Sequence, residues 1–143
     1  MTKTIYMGSD HAGLALKEAI IPALAEDGWT VEDMGTYSKE SCDYPDFAHA
    51  VCAKVLGTGC PGILICGTGI GMSITANRHK GIRAALCTHE FHVRATREHN
   101  DANILCLGER VTAPGLAVEL AKLFLATEFA GGRHQRRIEK IEA

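Results

Sequence analysis

Nowhere in these 143 residues does an apolar run approach the ~20 residues that a membrane-spanning helix needs, so a bilayer is not the expected setting. Met1-Thr2-Lys3-Thr4 leads straight into strand-like residues, which does not read as a signal peptide. An excess of basic charge is also missing. Fifteen Lys and Arg against 17 Asp and Glu leave a net charge of -2, which offers nucleic acid no electrostatic footprint. The six cysteines (42, 52, 60, 66, 87 and 106) include no C-x-x-C pair and mostly sit in apolar segments. Five of them read as buried free thiols of a cytoplasmic protein rather than as a disulfide framework. Repeats, low-complexity tracts and linkers are absent too. A single domain over residues 1–143 is expected, with a basic helical tail from about residue 131.

What the chain does carry is a regular alternation of strand and helix signals. Thr4-Ile5-Tyr6-Met7 reads as a strand, and residues 12–27 as a helix with Leu14, Ala15, Ile20, Ile21 and Leu24 on one stripe. Pro22 inside that pattern predicts a kink or a restart. A second strand over 29–34 gives way to a polar loop over 35–43. Asp43-Tyr44-Pro45 then starts a helix that runs to about Leu56. Further strands are expected at 62–66, 82–87 and 104–107, with helices at about 71–78 and 89–99 between them. Pro114 opens the last long helix; Gly131-Gly132 ends it and releases a basic tail before a short final helical turn. Five strands alternating with helices predict an α/β protein, a three-layer α/β/α Rossmann-like sandwich on a five-stranded parallel sheet. Ligands bind such sheets at the carboxyl edge, where strand order reverses. A 2-1-3 order would make Ser9-Asp10-His11 and Cys66-Gly67-Thr68 neighbours there.

The stretch Gly62-Ile63-Leu64-Ile65-Cys66-Gly67-Thr68-Gly69-Ile70-Gly71-Met72 organises the rest. Aliphatic residues form a buried strand, and the glycines after them a tight turn into a helix, where backbone N–H groups can approach an anion. Met72 stands where a dinucleotide fingerprint needs glycine or alanine, and no Gly-Lys-Ser/Thr follows to make a nucleotide loop. What survives is an oxyanion cradle of backbone amides. Cys66 lies where the strand ends and the helix dipole begins, a position that favours a thiolate; the alternative is a packed core thiol. With no second cysteine placed to resolve it, redox chemistry is not expected.

Asp10 and His11 end the first strand, and suit either a helix N-cap or acid–base and anion-binding work. His89, His92 and His99 fall roughly on one helical face, but Glu90-Phe91 breaks the H-E-x-x-H pattern, so no metal is expected. His99, with Asn100 beside it, is the better candidate for a group that titrates near neutrality. Arg133 and Arg137, four apart, present two guanidinium forks on one face, and Arg110 follows the fifth strand. Together these suit a phosphate; the alternative for the tail is a solvated basic run.

Gly8-Ser9-Asp10-His11-Ala12-Gly13, Asp43-Tyr44-Pro45, Ile65-Cys66-Gly67-Thr68-Gly69-Ile70-Gly71, residues 94–100 and Gly131-Gly132-Arg133-His134-Gln135-Arg136-Arg137 together resemble the type B ribose-5-phosphate isomerases. That family also holds allose-6-phosphate and galactose-6-phosphate isomerases, and the likeness runs over essentially the whole chain. It implies cofactor-free and metal-free interconversion of ribose 5-phosphate and ribulose 5-phosphate through a cis-enediolate, in the non-oxidative branch of the pentose phosphate pathway. By this resemblance Cys66 moves the proton between C2 and C1, and Thr68 moves protons between the two oxygens. His99 opens the furanose ring, and Asp10 handles the hydroxyl proton. Gly67, Gly69, Ile70 and Gly71 hold the enediolate. His11, Arg110, Arg133 and Arg137 hold the phosphate, Tyr44 lines the sugar pocket, and Asn100 supports the carbonyl end. The family further implies a homodimer, or a dimer of dimers, with sites near the interface. Some members carry a glutamate base at the position of Met72, a role that a thioether cannot take. Another phosphosugar (allose, galactose or a tetrose phosphate) is the alternative substrate, and a non-catalytic phosphometabolite binder the alternative class.

Overall fold

The computed structural model describes residues 3–143; the Met1-Thr2 start, read above as running straight into a strand, lies outside the described residues. Five strands form one parallel sheet: β1 (Thr4–Ser9), β2 (Thr30–Asp33), β3 (Gly62–Cys66), β4 (Ala84–Leu86) and β5 (Ile104–Gly108), in the order β2-β1-β3-β5-β4. The strand order reverses between β1 and β3, as a ligand edge at that point requires. Ser9 lies in register with Ile65, and the Asp10 amide donates to the Ile65 carbonyl at 3.3 Å. The first strand's end is thereby pinned beside Cys66.

Alternate residues of each strand point to opposite faces, and both faces are covered. Ile5, Met7, Ile63, Ile65, Leu105 and Leu107 pack under α1 (Leu14–Glu26), α4 (Glu90–Asn100) and α5 (Pro114–Ala126). Tyr6, Leu64, Cys66, Ile104 and Cys106 pack under α2 (Tyr44–Thr58) and α3 (Ile70–Ala76). Ile63, Leu64 and Ile65 are all 0% exposed, and burial of each contributes about 1.5–3 kcal/mol. Dual burial is the reason this segment reads as an unbroken apolar run rather than an alternation.

Three local expectations need correcting. The helix α1 does not restart at Pro22 but runs from Leu14 to Glu26 with the proline inside it. Pro22 and Glu18 are exposed, so the carbonyl freed by the missing N–H faces water while Leu16, Ile20 and Leu24 hold the helix to the sheet. On the same helix Ala15 is exposed, and Lys17, not on the predicted stripe, is buried. At the other end of the chain, α5 stops at Ala126, short of the expected Gly131-Gly132, while the expected basic helical tail is α6 (Arg133–Glu139). Gly131 and Gly132, both at positive φ, turn the chain into α6 rather than ending α5.

Candidate active site

At the carboxyl edge, a cleft of about 520 Å³ is lined by Asp10, His11, Ala12, Tyr44, Cys66, Gly67, Thr68, Ile70, Gly71, Ile74 and Arg110. Each residue arrives there for a topological reason: they belong to the end of β3, to the loops that leave β1, β3 and β5, or to the first turns of α2 and α3, with Ile74 one turn further along α3. Cys66 is the last residue of β3 and is 5% exposed. Its Sγ accepts the Gly69 amide N–H at 3.1 Å, so the turn wraps around the sulfur. Gly69 sits at φ 80, where a Cβ would lie 2.6 Å from Leu86 Cδ1 and 3.0 Å from the Leu107 carbonyl carbon. Only glycine fits both the backbone and the space. Thr68 Oγ1 accepts the Ile70 amide at 3.2 Å, which caps the start of α3.

Asp10 does cap a helical turn. Its Oδ1 accepts the Ala12 and Gly13 amides at 3.0 and 3.1 Å, at the head of a 3-10 turn (His11–Gly13) that leads into α1. The N-cap and a place in the cleft are therefore compatible. His11 Nδ1 accepts the Cys42 amide at 3.3 Å; an amide can only donate, so a neutral His11 ring carries its hydrogen on Nε2. Arg110 lies across the glycine turn, its Nε 3.8 Å from where a Gly67 Cβ would stand, and its amide donates to the Gly67 carbonyl at 3.0 Å. Glu109 beside it accepts the Leu16 amide at 2.8 Å, tying this loop to the first turn of α1.

His99, Asn100, Arg133 and Arg137 are not in this cleft. His99, Asn100, His134, Arg137, Ile138 and Ile141 line a second one, of about 390 Å³. It lies toward the amino edge of the sheet, because α4 runs back from the end of β4 to the start of β5. Arg83, which precedes β4, donates from Nε to the Asn100 carbonyl at 2.9 Å. α6 packs there through a His99–His134 ring stack with centroids 4.5 Å apart. Desolvation, then the neighbouring charges of His99, Arg133 and Arg137, hold His134 below the usual imidazole range. Arg133 and Arg137 fall on one helix, but only Arg137 lines the cleft. The three histidines expected on one face also part company: His89 sits at the N-cap position without a side-chain capping bond and stacks on His92 at 3.8 Å, while His99 turns to α6. Among the described residues, no group of three or more His, Cys, Asp or Glu side chains could hold a metal ion. No helix among them is long and apolar enough to cross a membrane.

Sequence reasoning missed Ile74, Cys42 and Lys17. Ile74 was within reach, since four residues after Ile70 is the same helical face. Cys42 and Lys17 act through contacts between distant segments, which no local pattern carries.

A Rossmann-like sheet with a thiol, an amide turn, a carboxylate and an arginine converging at its ligand edge defines the class: an α/β protein built to act on a small anionic molecule. The chain belongs to the ribose/galactose isomerase family, whose sequence profile matches residues 5–141. It is 45% identical over 142 residues to ribose-5-phosphate isomerase B of Escherichia coli, covering 99% of this chain and 95% of that one. The ribose-5-phosphate isomerase B structure from Clostridium thermocellum matches with a TM-score of 0.95 at 51% identity, over 97% of this chain and 95% of that one. A ribose 5-phosphate isomerase structure from Thermotoga maritima matches at 0.96 and 50%, over 99% of each chain.

Proposed function

We propose that this protein interconverts ribose 5-phosphate and ribulose 5-phosphate without a cofactor, as a homodimer, in the cytoplasm. The observation that carries the reaction is Cys66 itself, a thiol in a cleft walled by backbone amides, Asp10, His11 and Arg110. As thiolate it takes the proton from C2 of the open-chain aldose. The C–H electron pair becomes the C1=C2 bond, and O1 becomes an enediolate oxygen. Amides of Gly67 and Gly71 stabilise that charge as fixed dipoles, while the Gly69 amide holds the Cys66 sulfur and the Ile70 amide the Thr68 hydroxyl. Thr68 moves the hydroxyl proton between O2 and O1, and the Cys66 thiol returns its proton to C1. Asp10 assists at the sugar hydroxyl, and Tyr44 walls the sugar. His11 and Arg110 take part of the phosphate.

The homodimer follows from what one cleft lacks. His99 as the acid that opens the ring, Asn100 as carbonyl support, and Arg133 and Arg137 as the rest of the phosphate clamp all come from α4 and α6 of the second copy. Support for this lies in their position toward the opposite sheet edge of their own chain. Exposed apolar side chains stand at both clefts, with Ile70 50% and Ile74 54% exposed at one and Ile141 58% at the other. Six free thiols fit a reducing cytoplasm.

The test is turnover of ribose 5-phosphate by Cys66→Ser and Cys66→Ala. Loss of the base is expected to cost roughly 10²–10⁴ in kcat. Near-normal turnover by Cys66→Ala would reject the thiol base. Allose and galactose 6-phosphates run beside it should show lower kcat/KM than ribose 5-phosphate.

A further inference from the structure

Lys17 is a charged side chain in α1 with 0% exposure, an uncommon state for lysine. Its ammonium donates to Asp33 Oδ1 at 2.6 Å and to the Thr36 carbonyl at 2.6 Å, and it lies 5.3 Å from the centroid of the Tyr37 ring. Asp33 Oδ1 also accepts the Gly35 amide at 2.9 Å, and the Tyr37 hydroxyl donates to the Asp33 carbonyl at 2.8 Å. One buried cation thus organises the chain from Asp33 to Tyr37. That segment is in turn stitched to the end of β1. The Ser9 amide donates to the Gly35 carbonyl at 2.8 Å, and the Thr36 amide donates to the Ser9 carbonyl at 2.7 Å. Ser9 immediately precedes Asp10 and His11. Downstream, the same loop delivers Cys42, whose amide meets His11 Nδ1.

From these contacts we infer that Lys17 is a positioning residue of the active site, acting through the Asp33–Tyr37 segment to place the loop that holds His11 in one tautomer. Lys17 contributes nothing to the cleft directly. Its two bonds set where residues 35–43 begin their path, and the Cys42 amide keeps the hydrogen of a neutral His11 on Nε2, the nitrogen left free to meet an anionic oxygen. Removing the cation leaves the Asp33 carboxylate and the Thr36 carbonyl without their shared donor. The loop then loses its anchor at one end, and His11 the amide that selects its tautomer.

The experiment uses Lys17→Met in the full chain, with folding checked by circular dichroism. Long-range proton–nitrogen spectra at about pH 8.5, above the imidazole range, read the His11 tautomer directly. In the parent protein His11 should show one hydrogen-bearing nitrogen, Nε2; in Lys17→Met the two ring nitrogens should move toward averaged shifts. KM for ribose 5-phosphate should rise roughly tenfold with little change in kcat, the signature of lost ground-state positioning. A folded Lys17→Met protein that keeps the single His11 tautomer and the parent KM overturns the inference. Should Lys17→Met fail to fold, Asp33→Asn preserves side-chain volume and the acceptor for Gly35 while removing the charge. It should move both readouts the same way by a smaller amount, and unchanged readouts there overturn the inference equally. The KM arm rests on the isomerase reading above. The tautomer arm needs no substrate, so a parent protein without turnover would sink that reading and not this one.

Discussion

Two variants, each disabling one cleft, test how the site is assembled. Cys66→Ala removes the thiol at the carboxyl end of β3; His99→Asn removes the imidazole at the far end of α4. β5, which connects the two levels of the sheet, is 5 residues long, about 16 Å at about 3.3 Å per residue. Proton transfer needs each group within about 3 Å of the sugar atom it serves, and a separation of this order leaves His99 out of reach of a sugar phosphate held at the Cys66 of its own chain. If each site takes Cys66 from one copy and His99 from the other, each variant alone should lose about 100-fold or more in kcat. Refolding the two together at equal concentration should then restore activity. A two-fold dimer that re-forms at random is heterodimeric in about half of the molecules, and each heterodimer carries one site with both lesions and one with neither. Total turnover should therefore return to about one quarter of the parent level. Coupled consumption of ribose 5-phosphate follows it, with each variant refolded alone as the control. A mixture no more active than the separate variants would refute the shared site, because sites built within one chain carry a lesion in every copy.

Two further outcomes test the cleft and the core. A Cβ on Gly71 would meet the Tyr44 ring at 2.6 Å, so Gly71→Ala should push the ring aside. It should cost about 1–3 kcal/mol of stability by overpacking and raise KM for the sugar phosphate; an unchanged melting temperature and KM would remove Tyr44 from the sugar wall. Burial raises the Cys52 and Cys87 thiols from 9.0 to about 11, and pushes Cys106 well above the ordinary thiol range. Iodoacetamide at pH 8 should thus spare these three in the native protein and modify Cys42 and Cys60, as read by peptide mass mapping. The sign of the linkage follows: the unfolded chain releases these protons first, so their contribution is full below pH 9 and lost as pH rises toward 11. A melting temperature that holds steady across that window would contradict it.

Much of this architecture was legible because its signals are local. Ile63-Leu64-Ile65 announces a strand covered on both faces, and the glycines after Cys66 announce a tight turn, which closes on the Cys66 sulfur. Both depend only on residues within a few positions of one another. Alternation of elements and crossover handedness put the Asp10 and Cys66 loops on the same carboxyl edge, but the 2-1-3 order that makes them neighbours was only a condition until the sheet set it. Helix boundaries were less legible. Pro22 carries a helix-breaking signal that packing by Leu16, Ile20 and Leu24 overrides, and Gly131-Gly132 read as the end of a helix that stops at Ala126.

By itself, then, the sequence determined the sheet, the carboxyl-edge turn and the identity of its thiol, since chemistry and backbone conformation at Cys66–Gly71 are written in adjacent residues. Tertiary structure alone decided that His99, Asn100, Arg133 and Arg137 stand apart from that thiol, and that Lys17 is buried on Asp33 and Thr36. The physical reason is direction. A parallel crossover carries each helix back to the opposite edge of the sheet, so residues at the two ends of α4 serve different faces of the molecule. A lysine's burial likewise depends on which distant carbonyl and carboxylate the fold brings over it.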